Sequence, residues 1–170
     1  MRIADKHLLD LANTEVFTAP FPYFASPHAL SLELSFELLT WLENDAPWKL
    51  VETDFYEQYE FSFFDVQLPT YLKFLTSPEY LAHIKSRVES LFAVKLDSRI
   101  DFTAHKLIQG QRIRIHNDYI PSCETHRLLI QFNRGWNDEN GGMLMFFNSH
   151  NPSDIHKIFL PSHNSSVGFA

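Results

Sequence analysis

The part of the sequence after Leu96 is a series of short strand-like segments, and this series limits the folds open to the chain. The first segment alternates Ile100, Phe102 and Ala104 with polar residues, as a half-buried strand does. Later segments are separated by turn residues and read THRLLIQFN (125–133), MLMFFN (143–148), IHKIFLP (155–161) and SSVGFA (165–170). Strands of this length and spacing favour a double-sheet jelly roll, or a related barrel, over a parallel sheet.

Two helices are predicted before these strands. Ser31 is positioned to cap a helix that ends near Glu43, and its apolar stripe consists of Leu34, Leu38, Trp41 and Leu42. A second helix is predicted to begin with Ser77 as the cap and Pro78 at the first position. Its expected buried stripe is Leu81, Ile84, Val88, Leu91 and Phe92.

The remaining segments complete an α+β prediction. Residues 1–28 read as an extended entry segment, and the aromatic stretch 48–63 favours a hairpin that turns near residues 52–55. Residues 68–75 are expected to form a short helix or a loop. We therefore predict one domain over residues 1–170, in which residues 1–96 support a double-stranded β-helix (jelly-roll) core at residues 97–170.

Composition argues against several classes of partner. The 170 residues carry a formal net charge of −7, whereas nucleic-acid binding normally requires a basic face. Asp5, Lys6 and Asp10 interrupt the first apolar residues, so we expect neither a signal peptide nor a membrane span. The single cysteine, Cys123, fits a reducing compartment. These features predict a soluble, cytoplasmic protein that binds neither nucleic acid nor membrane.

A candidate metal site lies in QGQRIRIHND, residues 109–118. After Gly110 we predict a strand with Ile113 and Ile115 on one face and His116 and Asp118 on the other. An imidazole and a carboxylate on the same face of a strand can bind one metal ion, and with a second histidine they would form the facial triad of non-haem Fe(II) oxygenases. The other interpretation is an H-x-D triplet present by chance, because such a short motif is weak evidence alone.

A second candidate feature is the strand that follows. Arg127, Leu129, Gln131 and Asn133 are expected on one of its faces. If this face is exposed to solvent, its polar residues need no further explanation. If it lines the inside of a barrel, the guanidinium and amides require polar partners, and a dicarboxylate would suit them.

Four blocks together resemble a known family. The runs HKLIQGQRIRIHND, RLLIQFNRGW, ENGGMLMFF and FLPSHNSSVGFA are similar in order and spacing to the prolyl-hydroxylase type of Fe(II)/2-oxoglutarate-dependent dioxygenases. The similarity covers roughly Phe102 to Ala170. It implies a jelly-roll core, Fe(II) as the metal, 2-oxoglutarate as co-substrate, and hydroxylation of an unactivated C–H bond with release of succinate and CO2.

The resemblance also implies roles for individual residues. His116 and Asp118 would be iron ligands, and Arg127 and Gln131 would contact 2-oxoglutarate. Because an aspartate occupies position 118, hydroxylation is implied and halogenation is not. By analogy with the family, the substrate would be a small molecule or a peptide, with a peptidyl or free amino-acid side chain as the target.

One difference from the family affects the predicted function. In the family, the second histidine ligand and the basic residue that binds the far carboxylate of 2-oxoglutarate lie on strands beyond the one matching SSVGFA, where this sequence ends. We therefore expect a jelly-roll core that is incomplete at its C-terminus. His163 is a weaker candidate ligand, because relatives have none at that turn. The alternative function is a non-catalytic jelly-roll module without a complete iron triad.

Overall fold

The computed structural model describes residues 8–11, 13–118, 120 and 123–170. Its α-helices are α1 (Leu32–Asn44) and α2 (Pro78–Phe92), and short 3₁₀ helices lie at Thr70–Thr76 and Asp138–Asn140. The strands are β1 (Glu15–Phe17), β2 (Tyr23–Ser26), β3 (Lys49–Glu52), β4 (Glu57–Ser62), β5 (Thr103–Lys106), β6 (Arg127–Ile130), β7 (Leu144–Phe147), β8 (Ile155–Phe159) and β9 (Ser166–Phe169). All strand pairs within the sheets are antiparallel.

The chain divides into two compact units. Unit 1 contains Leu8, Leu9 and Ser31–Arg114, and unit 2 contains Asp10–Leu30 and Ile115–Ala170. Both helices and the β3–β4–β5 sheet belong to unit 1, whereas the other strands belong to unit 2.

The two helices of unit 1 begin where the sequence predicts. The hydroxyl of Ser31 accepts a hydrogen bond from the Leu34 amide, and the hydroxyl of Ser77 accepts one from the Tyr80 amide. Each bond satisfies an amide that the first helical turn leaves without a backbone acceptor. The second helix buries Tyr80 and Val88 most deeply, and the other predicted stripe residues are half-buried. The helix starts are therefore confirmed, and the stripe is confirmed in part.

The sheet of unit 1 has the order β3-β4-β5. The predicted hairpin is present as β3 and β4, with Lys49 opposite Glu60 and Glu52 opposite Glu57. Aromatic side chains fill the space between α1 and this sheet, since the Trp41 ring lies edge-on to Phe61 with ring centroids 5.6 Å apart. The structure pairs β5 with β4, so this strand of the predicted jelly-roll segment lies in unit 1.

The main sheet of unit 2 has the order β1-β2-β9-β6. Strand β9 is central: Ser166 faces Ser26 of β2 on one side and Ile130 of β6 on the other. The predicted extended entry segment therefore contains two strands, and β2 pairs with the last strand of the chain.

Strands β7 and β8 form a separate two-stranded sheet of unit 2. Gly141 and Gly142 both adopt positive φ in the connection before β7, a conformation that glycine adopts without steric cost. The two sheets share one apolar cluster built around Tyr23, Phe146 and Val167. The two antiparallel sheets of unit 2 thus contribute to a common apolar cluster.

Asn164, in the turn before β9, holds several segments of unit 2 together. Its side chain is buried, with the residue only 2% exposed, and its φ is +65°. The Leu30 amide donates to the side-chain oxygen at 2.9 Å, and the side-chain nitrogen donates to the Leu30 carbonyl at 2.7 Å. The Asn164 amide also donates to the Gln131 carbonyl, and its carbonyl accepts from the Ala29 amide.

The described residues form a mixed α and β protein with several antiparallel sheets, and these sheets do not close into a barrel. The α+β prediction is confirmed at this level. No helix in the described part of the chain is both long and apolar enough to cross a membrane.

Candidate functional site

The predicted strand that carries the H-x-D motif is absent. Ile113 forms one isolated bridge with Tyr56, the Arg114 amide donates to the Phe55 carbonyl, and residues 114–118 have no strand assignment. Ile113 and Ile115 are each 40% exposed, so neither is a core residue. The prediction of a strand with a buried isoleucine face was wrong, because alternation in sequence does not supply a partner strand.

His116 and Asp118 nevertheless face each other. The Nε2 atom of His116 lies 3.0 Å from the Oδ1 atom of Asp118, and their side chains are 32% and 23% exposed. Two ligand atoms bound at right angles to one metal ion at about 2.1 Å each would lie about 3.0 Å apart. The same separation is that of a hydrogen bond between the two side chains. The pair therefore has a spacing that fits a hydrogen bond and two adjacent metal ligands alike, without the strand expected to align them.

Arg127 contacts the same carboxylate. Its Nη1 atom lies 2.7 Å from Asp118 Oδ1, and its Nη2 atom donates to Glu124 Oε2 at 2.6 Å. Arg127 is the first residue of β6, and Glu124 forms backbone hydrogen bonds with Ile120 in both directions. We call His116, Asp118, Glu124 and Arg127 the ion-pair cluster.

The ion-pair cluster combines two carboxylates, one guanidinium and one imidazole. All four side chains are partly exposed, between 23% and 37%, so water and small solutes can reach them. The sequence prediction missed Glu124. The only sequence signal for it is an acidic residue three positions before Arg127, which alone is too common to indicate a site.

Gln131 lies one residue beyond β6, and its backbone is bound to the turn before β9. Its amide donates to the Ser165 carbonyl at 2.8 Å, and its carbonyl accepts from the Asn164 amide at 2.7 Å. Within the described residues, no hydrogen bond joins the Gln131 side chain to the ion-pair cluster. The structure brings His116, Asp118 and Arg127 together, and the predicted contacts of Arg127 and Gln131 with 2-oxoglutarate stay predictions.

Three other histidines of unit 2 have different surroundings. The ring of His163 lies edge-on to Phe132, with centroids 6.0 Å apart. His156 Nε2 lies 3.2 Å from the Tyr23 hydroxyl, and His126 Nδ1 lies 2.9 Å from the Thr125 hydroxyl. Burial lowers the pKa of His126, which favours its neutral form.

The residues fit a metal ion in part. His116 and Asp118 offer two suitable donors at a suitable spacing. Among the described residues, no group of three or more His, Cys, Asp or Glu side chains is arranged to hold a metal ion. Arg127 places a cation on the same Asp118 oxygen that a metal would use. Two donors, one of them already paired with Arg127, do not by themselves form a complete metal site.

Comparison with known proteins adds no family assignment. No protein-family model matches the chain, and no curated protein matches its sequence. The resemblance to the Fe(II)/2-oxoglutarate-dependent dioxygenases thus depends on the sequence blocks alone.

Proposed function

We propose that this chain carries part of an Fe(II)- and 2-oxoglutarate-dependent oxygenase site that hydroxylates an unactivated C–H bond. His116 and Asp118 are the proposed iron ligands. The observation that supports this assignment best is the 3.0 Å separation of His116 Nε2 and Asp118 Oδ1, which matches two adjacent ligands of one ion. A hydrogen bond between the imidazole and the carboxylate has the same length, so a metal-free pair accounts for this separation equally well.

We also propose that unit 2 is part of a double-stranded β-helix. In the four consecutive strands β6 to β9, the outer two pair in one sheet and the inner two pair in another. Such nested antiparallel pairs, with a common apolar cluster, are typical of a hairpin rolled into a jelly roll. This topology supports the fold that the sequence resemblance implies.

The chain's own residues have separate tasks in this proposal. His116 and Asp118 bind and orient the metal, and the partial exposure of their side chains leaves room for a co-substrate and a substrate. When bound, iron with 2-oxoglutarate and O2 would supply the oxidising power, which no side chain provides. Gln131 is the proposed contact for 2-oxoglutarate, and a peptidyl or free amino-acid side chain is the proposed substrate.

Anaerobic titration calorimetry with Mn(II), a redox-stable substitute for Fe(II), and 2-oxoglutarate tests the function. We expect saturable binding of Mn(II) and tighter binding of 2-oxoglutarate when Mn(II) is present, since the co-substrate would chelate the metal. If neither ligand binds alone or with the other, the oxygenase proposal is wrong.

His116→Ala tests the ligand assignment. We expect this variant to lose Mn(II) binding, because it leaves a single carboxylate donor. His163→Ala should leave Mn(II) affinity nearly unchanged, since His163 packs against Phe132 and not in the ion-pair cluster. Circular dichroism of both variants controls for folding, and the reverse ranking of the two variants would overturn the assignment.

A second candidate function is a non-catalytic binding module with the same fold. Its specific support is the contact of Arg127 with Asp118, which gives the aspartate a cationic partner without any metal. This module would bind neither Mn(II) nor 2-oxoglutarate in the calorimetric titration.

A further inference from the structure

The connection between β6 and β7 places an asparagine directly before a glycine. Asn140 ends the short 3₁₀ helix Asp138–Asn140, and Gly141 follows it with a φ of +66° and a ψ of −147°. Asn140 is exposed to solvent. Within the described residues, no atom lies within 4 Å of where a Cβ would stand at Gly141. Glycine adopts this backbone conformation freely, and it has no side chain to shield its amide nitrogen.

The side-chain carbonyl of Asn140 is held by a backbone donor. The Asn137 amide donates to Asn140 Oδ1 at 2.9 Å, as one half of a capping box. If a nucleophile adds to the side-chain carbon of Asn140, this oxygen becomes negatively charged. A backbone N–H that already points at such an oxygen stabilises the charge as it develops.

The nitrogen that follows Asn140 in the chain is only weakly engaged. The Gly141 amide donates to the Asp138 carbonyl at 3.3 Å, which is longer than an ordinary N–H···O hydrogen bond. A nucleophile held in the same molecule also has a large advantage over one that must arrive from solution. Asn140 and Gly141 thus combine an exposed electrophilic carbon with an available nucleophile.

We propose that Asn140 is a site of spontaneous deamidation through a cyclic succinimide formed with Gly141. The Gly141 nitrogen bonds to Asn140 Cγ, and the bond from Cγ to Nδ2 breaks. Nδ2 leaves as ammonia, with the proton that water relays from the Gly141 nitrogen. Water then opens the ring: addition at Cγ gives aspartate, and addition at the backbone carbonyl carbon of residue 140 gives isoaspartate. No group is oxidised or reduced, and the reaction is independent of the proposed oxygenase function.

Isoaspartate would alter the connection that leads into β7. It inserts an extra methylene carbon into the main chain between positions 140 and 141. The Gly141 carbonyl accepts a hydrogen bond from Trp136 Nε1 at 2.8 Å, and the Asn137 amide reaches the Asn140 side chain in the same turn. A longer main chain displaces both acceptors, so these bonds are lost and the turn loosens. Aspartate leaves the main chain unchanged and keeps them.

The experiment follows deamidation of the native whole chain at mildly alkaline pH, by tryptic digestion at mildly acidic pH and mass spectrometry. One tryptic peptide, residues 135–157, contains Asn137, Asn140, Asn148 and Asn151, so fragment ions rank these asparagines in a single spectrum. We expect Asn140 to change from amide to acid first, with isoaspartate among its products. Asn148 is an exposed control that precedes a serine, and Asn151 precedes Pro152, which has no N–H to lose and cannot attack.

Incubation of the same chain in guanidinium chloride separates the effect of the fold from that of the sequence. Unfolding removes the Asn137 donor from Asn140 Oδ1, so we expect native protein to deamidate at Asn140 at least as fast as unfolded protein. If the native rate is lower, the turn protects Asn140 and the proposal is wrong. It is also wrong if Asn148 reacts as fast as Asn140, or if neither form is modified at Asn140. Asn140→Gln should abolish the modification in the native chain, since glutamine would have to form a larger ring.

Hydrogen exchange tests the consequence for the turn. Ion exchange isolates the isoaspartate product by its added negative charge, and Asn140→Asp is the matched control, with the same charge but no extra main-chain carbon. We expect the isoaspartate form to lose amide protection over residues 136–144, while Asn140→Asp keeps the protection of wild type. Equal protection in all three proteins would overturn the proposed loosening.

Discussion

Replacing Asn164 should destabilise unit 2 more than any surface change. Its side chain forms two buried hydrogen bonds with the backbone of Leu30, one as acceptor at 2.9 Å and one as donor at 2.7 Å. Asn164→Ala removes both bonds and leaves the amide and carbonyl of Leu30 buried without these partners. It also puts an alanine at a φ of +65°, in the left-handed region that asparagine and glycine tolerate better.

The magnitude follows from these two effects. Each buried backbone group that loses its hydrogen-bond partner lowers the free energy of unfolding by about 1–3 kcal/mol. With about 2 kcal/mol for each group, the two groups of Leu30 together account for about 4 kcal/mol. The left-handed backbone adds about 1 kcal/mol for alanine. We therefore expect Asn164→Ala to lower the free energy of unfolding by about 5 kcal/mol and Asn164→Gly by about 4 kcal/mol, since glycine removes the same bonds without the backbone strain.

Urea denaturation combined with hydrogen exchange and mass spectrometry measures the effect within unit 2. Peptides that cover β2 and β9 should lose protection together in both variants, with the Leu30 amide affected most. Asn148→Ala is the matched control, because its side-chain bond to Asp154 is exposed and should be worth only about 0.5 kcal/mol. A loss at Asn164→Ala within 1 kcal/mol of this control, or equal losses for alanine and glycine, would refute the reasoning.

Two further predictions concern a close packing contact and a titrating carboxylate. Gly168→Ala should lower the free energy of unfolding by about 1–3 kcal/mol, since a Cβ there would overlap the ring of Phe24, which is 1% exposed. This loss should be smaller when Phe24 is also replaced by leucine. Equal losses with and without Phe24→Leu would exclude the clash as the cause. Hydrogen bonds from Lys85 and from the Leu96 amide lower the pKa of Glu89 to about 2 from 4.5. The stabilisation provided by the Glu89 carboxylate is therefore complete above about pH 4.5 and is lost as the pH falls through about 2. The difference in urea midpoint between wild type and Glu89→Gln should become smaller over that pH range. A difference that stays constant would contradict this prediction.

Local sequence signals were sufficient to locate the helices and the hairpin. The hydroxyls of Ser31 and Ser77 cap amides only three residues away, so neighbouring residues in the sequence are enough to predict these caps. Pairing between distant segments has no such signal. The partnership of β2 with β9 could not be inferred, since nothing in the sequence of either strand specifies the other.

The candidate site was predicted in its residues but not in its architecture. The motif identified His116 and Asp118, and their atoms do approach each other. The strand expected to align them is missing, because beyond the single bridge at Ile113 no neighbouring strand pairs with these residues. The ion pairs of Arg127 with Asp118 and Glu124 depend on how these residues approach each other in space, which residue types do not specify.

The interleaving of the two units has a consequence for biosynthesis. Every strand pairing within the sheet of unit 1 falls between Lys49 and Lys106, so that sheet can form early on the ribosome. Strand β2 emerges before it, yet Ser26 pairs with Ser166, which is translated long after it. Until then β2 exposes an unpaired edge, which other polypeptides can join. A translation product that stops short of β9 should therefore be the species that aggregates.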